Sequence, residues 1–169
     1  MKSSNLEIFG NIVSQIRAVT PSLEVSQSEN VPSFVDRQYS WGTQPGLNVG
    51  LCLSLQNDDE LHLCIGSTFW AEFRPVDDED VGAEVADRVI GFIRGDYRVE
   101  TAYFGNKIER SLLQHERNNG EWECLQSSIP FNKTGWIWED YRVEITRNRE
   151  SGRREVLTPA PHTTGHTDP

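Results

Sequence analysis

No stretch of this chain approaches the roughly 20 consecutive apolar residues that a membrane-spanning helix needs. Its first residues, among them Met1, Lys2, Ser3, Ser4, Asn5 and Glu7, lack the apolar core of a secretory signal. The cytoplasm is therefore the expected compartment, and no membrane partner is expected. Cysteine is scarce: Cys52, Cys64 and Cys124 are an odd number without zinc-finger spacing, which points to reduced thiols and away from a disulfide framework. Positive charge is short as well. Against 26 acids stand 16 bases, a formal charge of −10, and without clustered Lys and Arg the counterion-release binding that holds nucleic acid is excluded. There is no glycine-rich elbow to activate a nucleophile and no glycine-turned EF-hand loop. No cofactor, metal or catalytic constellation is expected from motifs alone.

What is present suffices for one sizeable core. Five Trp, four Tyr and seven Phe join the aliphatic residues in a chain of 169, with no internal repeat and no second composition regime. A single domain is expected over residues 1–147. From Asn148 onward prolines and polar residues without periodicity predict a disordered C-terminal tail, 148–169.

Periodicity supplies the elements. Leu6, Phe9, Ile12, Val13, Ile16 and Val19 recur at helical spacing, with a Ser or Asn cap before them and Pro21 after, predicting a helix over 5–19. Residues 26–46 read as a long loop holding at most one short strand. Val49, Leu51, Leu53 and Leu55 then alternate, a turn follows at 57–59, and Leu61, Leu63 and Ile65 return, which predicts a hairpin with one apolar face. In that register Cys52 opposes Cys64 and Ser54 opposes His62. Phe69, Ala71 and Phe73 extend the second strand or begin a third. A helix is expected from about Asp78 to Arg94, stopped by Gly95. A second hairpin turns at Gly105 and Asn106, and further strands are expected around 121–125 and 135–146. The order predicts an α+β domain, a mostly antiparallel sheet covered on one face by two helices.

The acidity is local. Residues 57–87 carry ten acids and one base, Arg74, a net of −9, while the remainder is nearly neutral. On a helical wheel Val81, Val85, Val89, Phe92 and Ile93 form a core-facing stripe. Asp77, Asp80, Glu84 and Asp87 fall opposite as an acidic line, provided the helix includes Asp77. Early carboxylates cap the helix and favour its dipole by about 0.3–1 kcal/mol each. Glu84 and Asp87 lie beyond the first turn, with Glu84 and Arg88 as the one obvious compensating pair. The line is either a solvated face or a docking face.

Other residues offer chemistry. Cys52, Ser54, His62 and Cys64 share the hairpin face opposite the leucines; two sulfurs and an imidazole could bind zinc, but a fourth ligand is not visible, and plain packing is the favoured reading of the thiols. Glu72, after Trp70, is a carboxylate in an apolar setting, the usual form of a general acid, unless it pairs with Arg74, Arg94 or Arg98. Trp136 and Trp138 share a strand face and are either core or aromatic anchors at an interface.

Small size, no catalytic constellation and one localised acidic surface predict a protein that binds a basic protein partner. In general character the chain resembles the small acidic immunity proteins that neutralise bacterial toxins, often nucleases. The resemblance implies a toxin as partner, steered by Asp77, Asp80, Glu84 and Asp87 and anchored by Trp136 or Trp138. The alternatives are a small enzyme with a carboxylate or thiol site around Glu72 or Cys52 and Cys64, or an adaptor or chaperone with an apolar groove.

Overall fold

A computed structural model describes residues 4–28, 32, 34–74, 76–128, 141–148 and 155–157. The chain runs α1 (Asn5–Val19), β1 (Ser26–Ser28), β2 (Val35–Trp41), β3 (Leu51–Gln56), β4 (Glu60–Ile65), β5 (Phe69–Phe73), α2 (Glu79–Arg94), β6 (Tyr97–Phe104), β7 (Lys107–Glu116), β8 (Trp122–Ser128), β9 (Tyr141–Arg147) and β10 (Glu155–Leu157). It is an α+β fold dominated by antiparallel sheet.

Among the described residues the strands form two five-stranded sheets where a single sheet was expected. The first is a meander in the order β1-β2-β3-β4-β5, and the second has the order β10-β9-β6-β7-β8. The chain leaves the first through α2, and where the sheets meet, hydroxyls replace a backbone ladder. Ser111 Oγ donates to the Thr68 carbonyl at 2.6 Å, and the Thr68 and Thr101 hydroxyls lie 3.1 Å apart.

Both helices start as their sequences dictate. In α1 the Glu7 amide donates to Ser4 Oγ and the Ser4 amide to Glu7 Oε2, a capping box that satisfies two orphan donors. Asp78 caps α2 by accepting from the Asp80 amide, and Gly95 ends it at φ 77°, a left-handed conformation that favours glycine. The alternating leucines of β3 and β4 meet Phe9, Ile12, Val13 and Ile16 of α1 and Val85, Val89 and Phe92 of α2 in one core, joined by Val99 and Leu113 of the second sheet. Each such side chain taken from water contributes about 1.5–3 kcal/mol.

One further expectation needs correction. The expected loop at 26–46 contains β1 and the seven-residue β2. Apolar alternation in β2 is broken because Arg37 shares register with Leu55, and a bulge between Val35 and Arg37 shifts the pairing. The expected tail begins with an anchored residue: Asn148 is buried and hydrogen-bonded to Asn48, Gly46 and Ile93. Beyond it Glu155–Leu157 pairs with β9, and the remaining tail positions lie outside the described residues.

Candidate functional site

The helical wheel holds for the buried side of α2: Val85, Val89, Phe92 and Ile93 are buried, and Val81 packs against the same core. The acidic line is less uniform than its spacing suggests. The helix begins at Glu79 with Asp78 as cap, so Asp77 precedes it. Glu84 accepts from Arg88 at 3.0 Å. Asp87 accepts from Arg88 at 2.9 Å and from the Tyr97 hydroxyl at 2.8 Å. Burial and the Asp87 hydrogen bond push the Tyr97 phenol up to about 12. Thus the expected Glu84–Arg88 pair forms, and Asp87, for which the sequence offered no partner, is engaged by Arg88 and Tyr97. Asp80 is exposed on the first turn. Trp136 and Trp138 lie outside the described residues.

The fold instead gathers acids from separate segments at one end. The β3–β4 turn uses Asn57 and Asp58 at φ 48° and 74°, a left-handed conformation that Asn and Asp tolerate better than other side chains. The Asp58 amide donates to the Asp36 carboxylate at 2.8 Å, and the Asp58 carbonyl accepts from Asn5 Nδ2 at 2.7 Å. The Asp59 carbonyl accepts from the Val76 amide at 3.1 Å, which fixes the approach to α2 beside this turn. These bonds join the segments carrying Asp36, Asp58 and Asp59 to Val76, from which Asp77, Asp78 and Asp80 lead into α2, and the joined segments make up an acidic pole. The same turn carries an apolar residue. Asn57 donates its amide to the carbonyl of Phe34, whose side chain is 54% exposed. Asp36, Asp58 and Phe34 were not singled out in sequence because only the hairpin register and the β2 bulge bring them together.

A second polar arrangement covers the outer face of the first sheet. Cys52 opposes Cys64 and Ser54 opposes His62, as the sequence predicts, and β5 adds Glu72 opposite His62 and Trp70 opposite Cys64. His62 is only 6% exposed; its Nε2 lies 3.4 Å from Glu60 Oε2, and its Nδ1 is buried with no partner among the described residues. Such an unsatisfied buried group costs about 1–3 kcal/mol. The exposed Trp70 ring tilts over the imidazole, 5.1 Å between centroids. Arg74 bridges the two glutamates, at 3.1 Å from Glu60 and in an ion pair with Glu72. The Asn57 side-chain hydrogen bond, helped by His62 and Arg74, holds the Glu60 carboxyl below its ordinary range. Glu72 thus pairs with the first of the three arginines considered for it.

No family model, curated protein or solved structure matches the chain. The geometry alone therefore bears on function. Burial pushes the Cys64 thiol up to about 11 and raises that of Cys52. Neither is prepared as a thiolate nucleophile, since activation requires the opposite shift.

Proposed function

We propose that this protein is a binding protein of the immunity type, an inhibitor that neutralises a partner with a cationic surface, such as a basic toxin or nuclease. One observation carries the reading: hydrogen bonds join acid-bearing segments that are separate in sequence, beside a turn that also holds the carbonyl of the exposed Phe34. Asp58 and Asp59 lie in the turn that binds the Phe34 carbonyl, Asp36 accepts from the Asp58 amide, and Val76, bonded to the Asp59 carbonyl, leads through Asp77 and Asp78 to Asp80. An aromatic anchor ringed by charge is the composition of an interaction hot spot, in which the apolar group supplies affinity and the rim supplies steering. The only base within 57–87 is Arg74, and Glu60 and Glu72 engage it, so it does not offset the pole fully. Asp80 belongs to this surface. Glu84 and Asp87 contribute as a weaker flank, because Arg88 neutralises part of their charge.

A carboxylate enzyme is the second reading, favoured by Glu72 standing in register with His62. It requires that Glu72→Gln abolish turnover of a substrate without weakening any partner complex.

The test is capture from host lysate with two baits, the wild type and a variant carrying Asp58→Asn, Asp59→Asn and Asp80→Asn. Asparagine keeps the left-handed turn accessible, so the variant removes charge and spares the backbone. A basic protein retained by the wild type and lost from the variant is expected. Identical retention by the two baits refutes the acidic pole as the binding surface.

A further inference from the structure

We propose that Glu60, His62 and Glu72 form a three-ligand site for a divalent transition-metal ion of the zinc type, and that Arg74 is the resident cation which the metal displaces.

The three side chains come from paired strands. Glu60 and His62 are alternate residues of β4 on one face, and Glu72 of β5 is the register partner of His62. One potential ligand atom from each lies within 4.8 Å of the others. Zinc bonds of about 2.0–2.2 Å to nitrogen and oxygen would close that triangle by small side-chain rotations. His62 supplies an independent sign. It is 6% exposed, one ring nitrogen has no partner among the described residues and the other makes only a 3.4 Å contact with Glu60. Nε2, the ring nitrogen nearer Glu60, is the one placed to ligate.

The electrostatics call for a cation. Two carboxylates face one another beside a buried imidazole, and the guanidinium of Arg74 lies between them. Arg74 is itself 57% exposed at its side chain, so it can swing into water when a dication takes its place. One imidazole and two carboxylates suit zinc, cobalt or manganese better than calcium, which takes six to eight oxygens. Three protein ligands leave a position open for water or an external donor, the arrangement of catalytic more than of structural zinc.

This ligand set differs from Cys52, Cys64 and His62, the set suggested by the hairpin alone. The two thiols lie on the same face and make a clear competing hypothesis.

Cobalt(II) and zinc titrations of the full chain, followed by visible absorption and calorimetry, decide the matter. His162→Gln and His166→Gln are included throughout to remove two other imidazoles, and a His115→Gln variant, which should leave affinity unchanged, controls for the third. The expected result is saturable one-to-one binding with no sulfur-to-cobalt charge-transfer band. Affinity should fall at least about tenfold on His62→Gln or Glu72→Gln and rise on Arg74→Gln. It should not change on Cys52→Ser with Cys64→Ser. Absence of saturable binding in both the wild type and Arg74→Gln overturns the proposal. So does a charge-transfer band that the cysteine substitutions abolish, or binding that survives Glu72→Gln undiminished. Circular dichroism of each variant separates ligand loss from unfolding, and Arg74→Gln, a surface change expected to tighten binding, cannot mimic a folding defect.

Discussion

Replacing Gly91 by alanine isolates the contact between α2 and β6. A Cβ there would stand 2.3 Å from Tyr97 Cε2, 2.5 Å from Cδ2 and 2.7 Å from Cζ. The ring must move, and it is held by its hydroxyl on Asp87 at 2.8 Å and by an edge contact with His115, 6.2 Å between centroids. Overpacking of this kind costs about 1–3 kcal/mol. Against it stands the helix propensity gained on exchanging glycine for alanine, about 0.8–1 kcal/mol. Gly10, inside α1, provides the reference, because a Cβ there meets nothing within 4 Å. Gly10→Ala should therefore stabilise the protein by about 0.8–1 kcal/mol. Gly91→Ala should be less stable than Gly10→Ala by about 1–3 kcal/mol, the steric contribution alone. Urea unfolding measures both through the midpoint at unchanged slope. In a Tyr97→Ala background the two alanines should become equivalent. Gly91→Ala as stabilising as Gly10→Ala in the wild-type background would refute this packing.

Two further outcomes follow from polar side-chain contacts. The Tyr97 phenol is raised from 10.0 to about 12, so its proton is held more tightly in the folded state, and its contribution to stability is complete below pH 10 and lost as pH rises through about 12. Tyr97→Phe should flatten that alkaline decline, as followed by urea midpoints across the window; an unchanged decline would place its origin elsewhere. Asn148→Ala removes the partner of the Asn48 amide and of the Gly46 and Ile93 carbonyls. It should destabilise the protein by about 1–3 kcal/mol in urea, whereas a change within the roughly 0.5 kcal/mol of an ordinary surface substitution would show the anchor to be dispensable.

The helices and hairpins were legible because each rests on a local signal. Ser4 before the periodic run of α1, Gly95 after that of α2, and the leucine alternation around Asn57, Asp58 and Asp59 all act within a few residues. The register from Cys52 and Cys64 to Ser54 and His62 followed from the turn length. The partition into two sheets was not legible, since it depends on where α2 delivers the chain and on contacts as distant as Thr68 with Ser111. β2 was hidden because Arg37 occupies a position where alternation calls for an apolar side chain and the bulge disturbs the period. Asn148 looked like the start of a tail because its partners, Gly46, Asn48 and Ile93, lie far away in sequence. For the site, α2 displayed its acidic line at once, but its compensation by Tyr97 required the fold. Asp36 joined Asp58 by the same kind of distant contact, and Glu60 met Glu72 only through the pairing of β4 with β5.

The acidic pole makes its most direct prediction for the rate at which a captured partner associates. The carboxylates of these joined segments should accelerate encounter with a basic surface by about tenfold or more at low ionic strength, and salt should screen that gain. Stopped-flow association of the wild type is expected to slow steeply between low and high salt, while the Asp58→Asn, Asp59→Asn, Asp80→Asn variant starts slow and changes little. A wild-type rate independent of salt, or a variant that associates as fast as the wild type in dilute buffer, would contradict recognition through this pole.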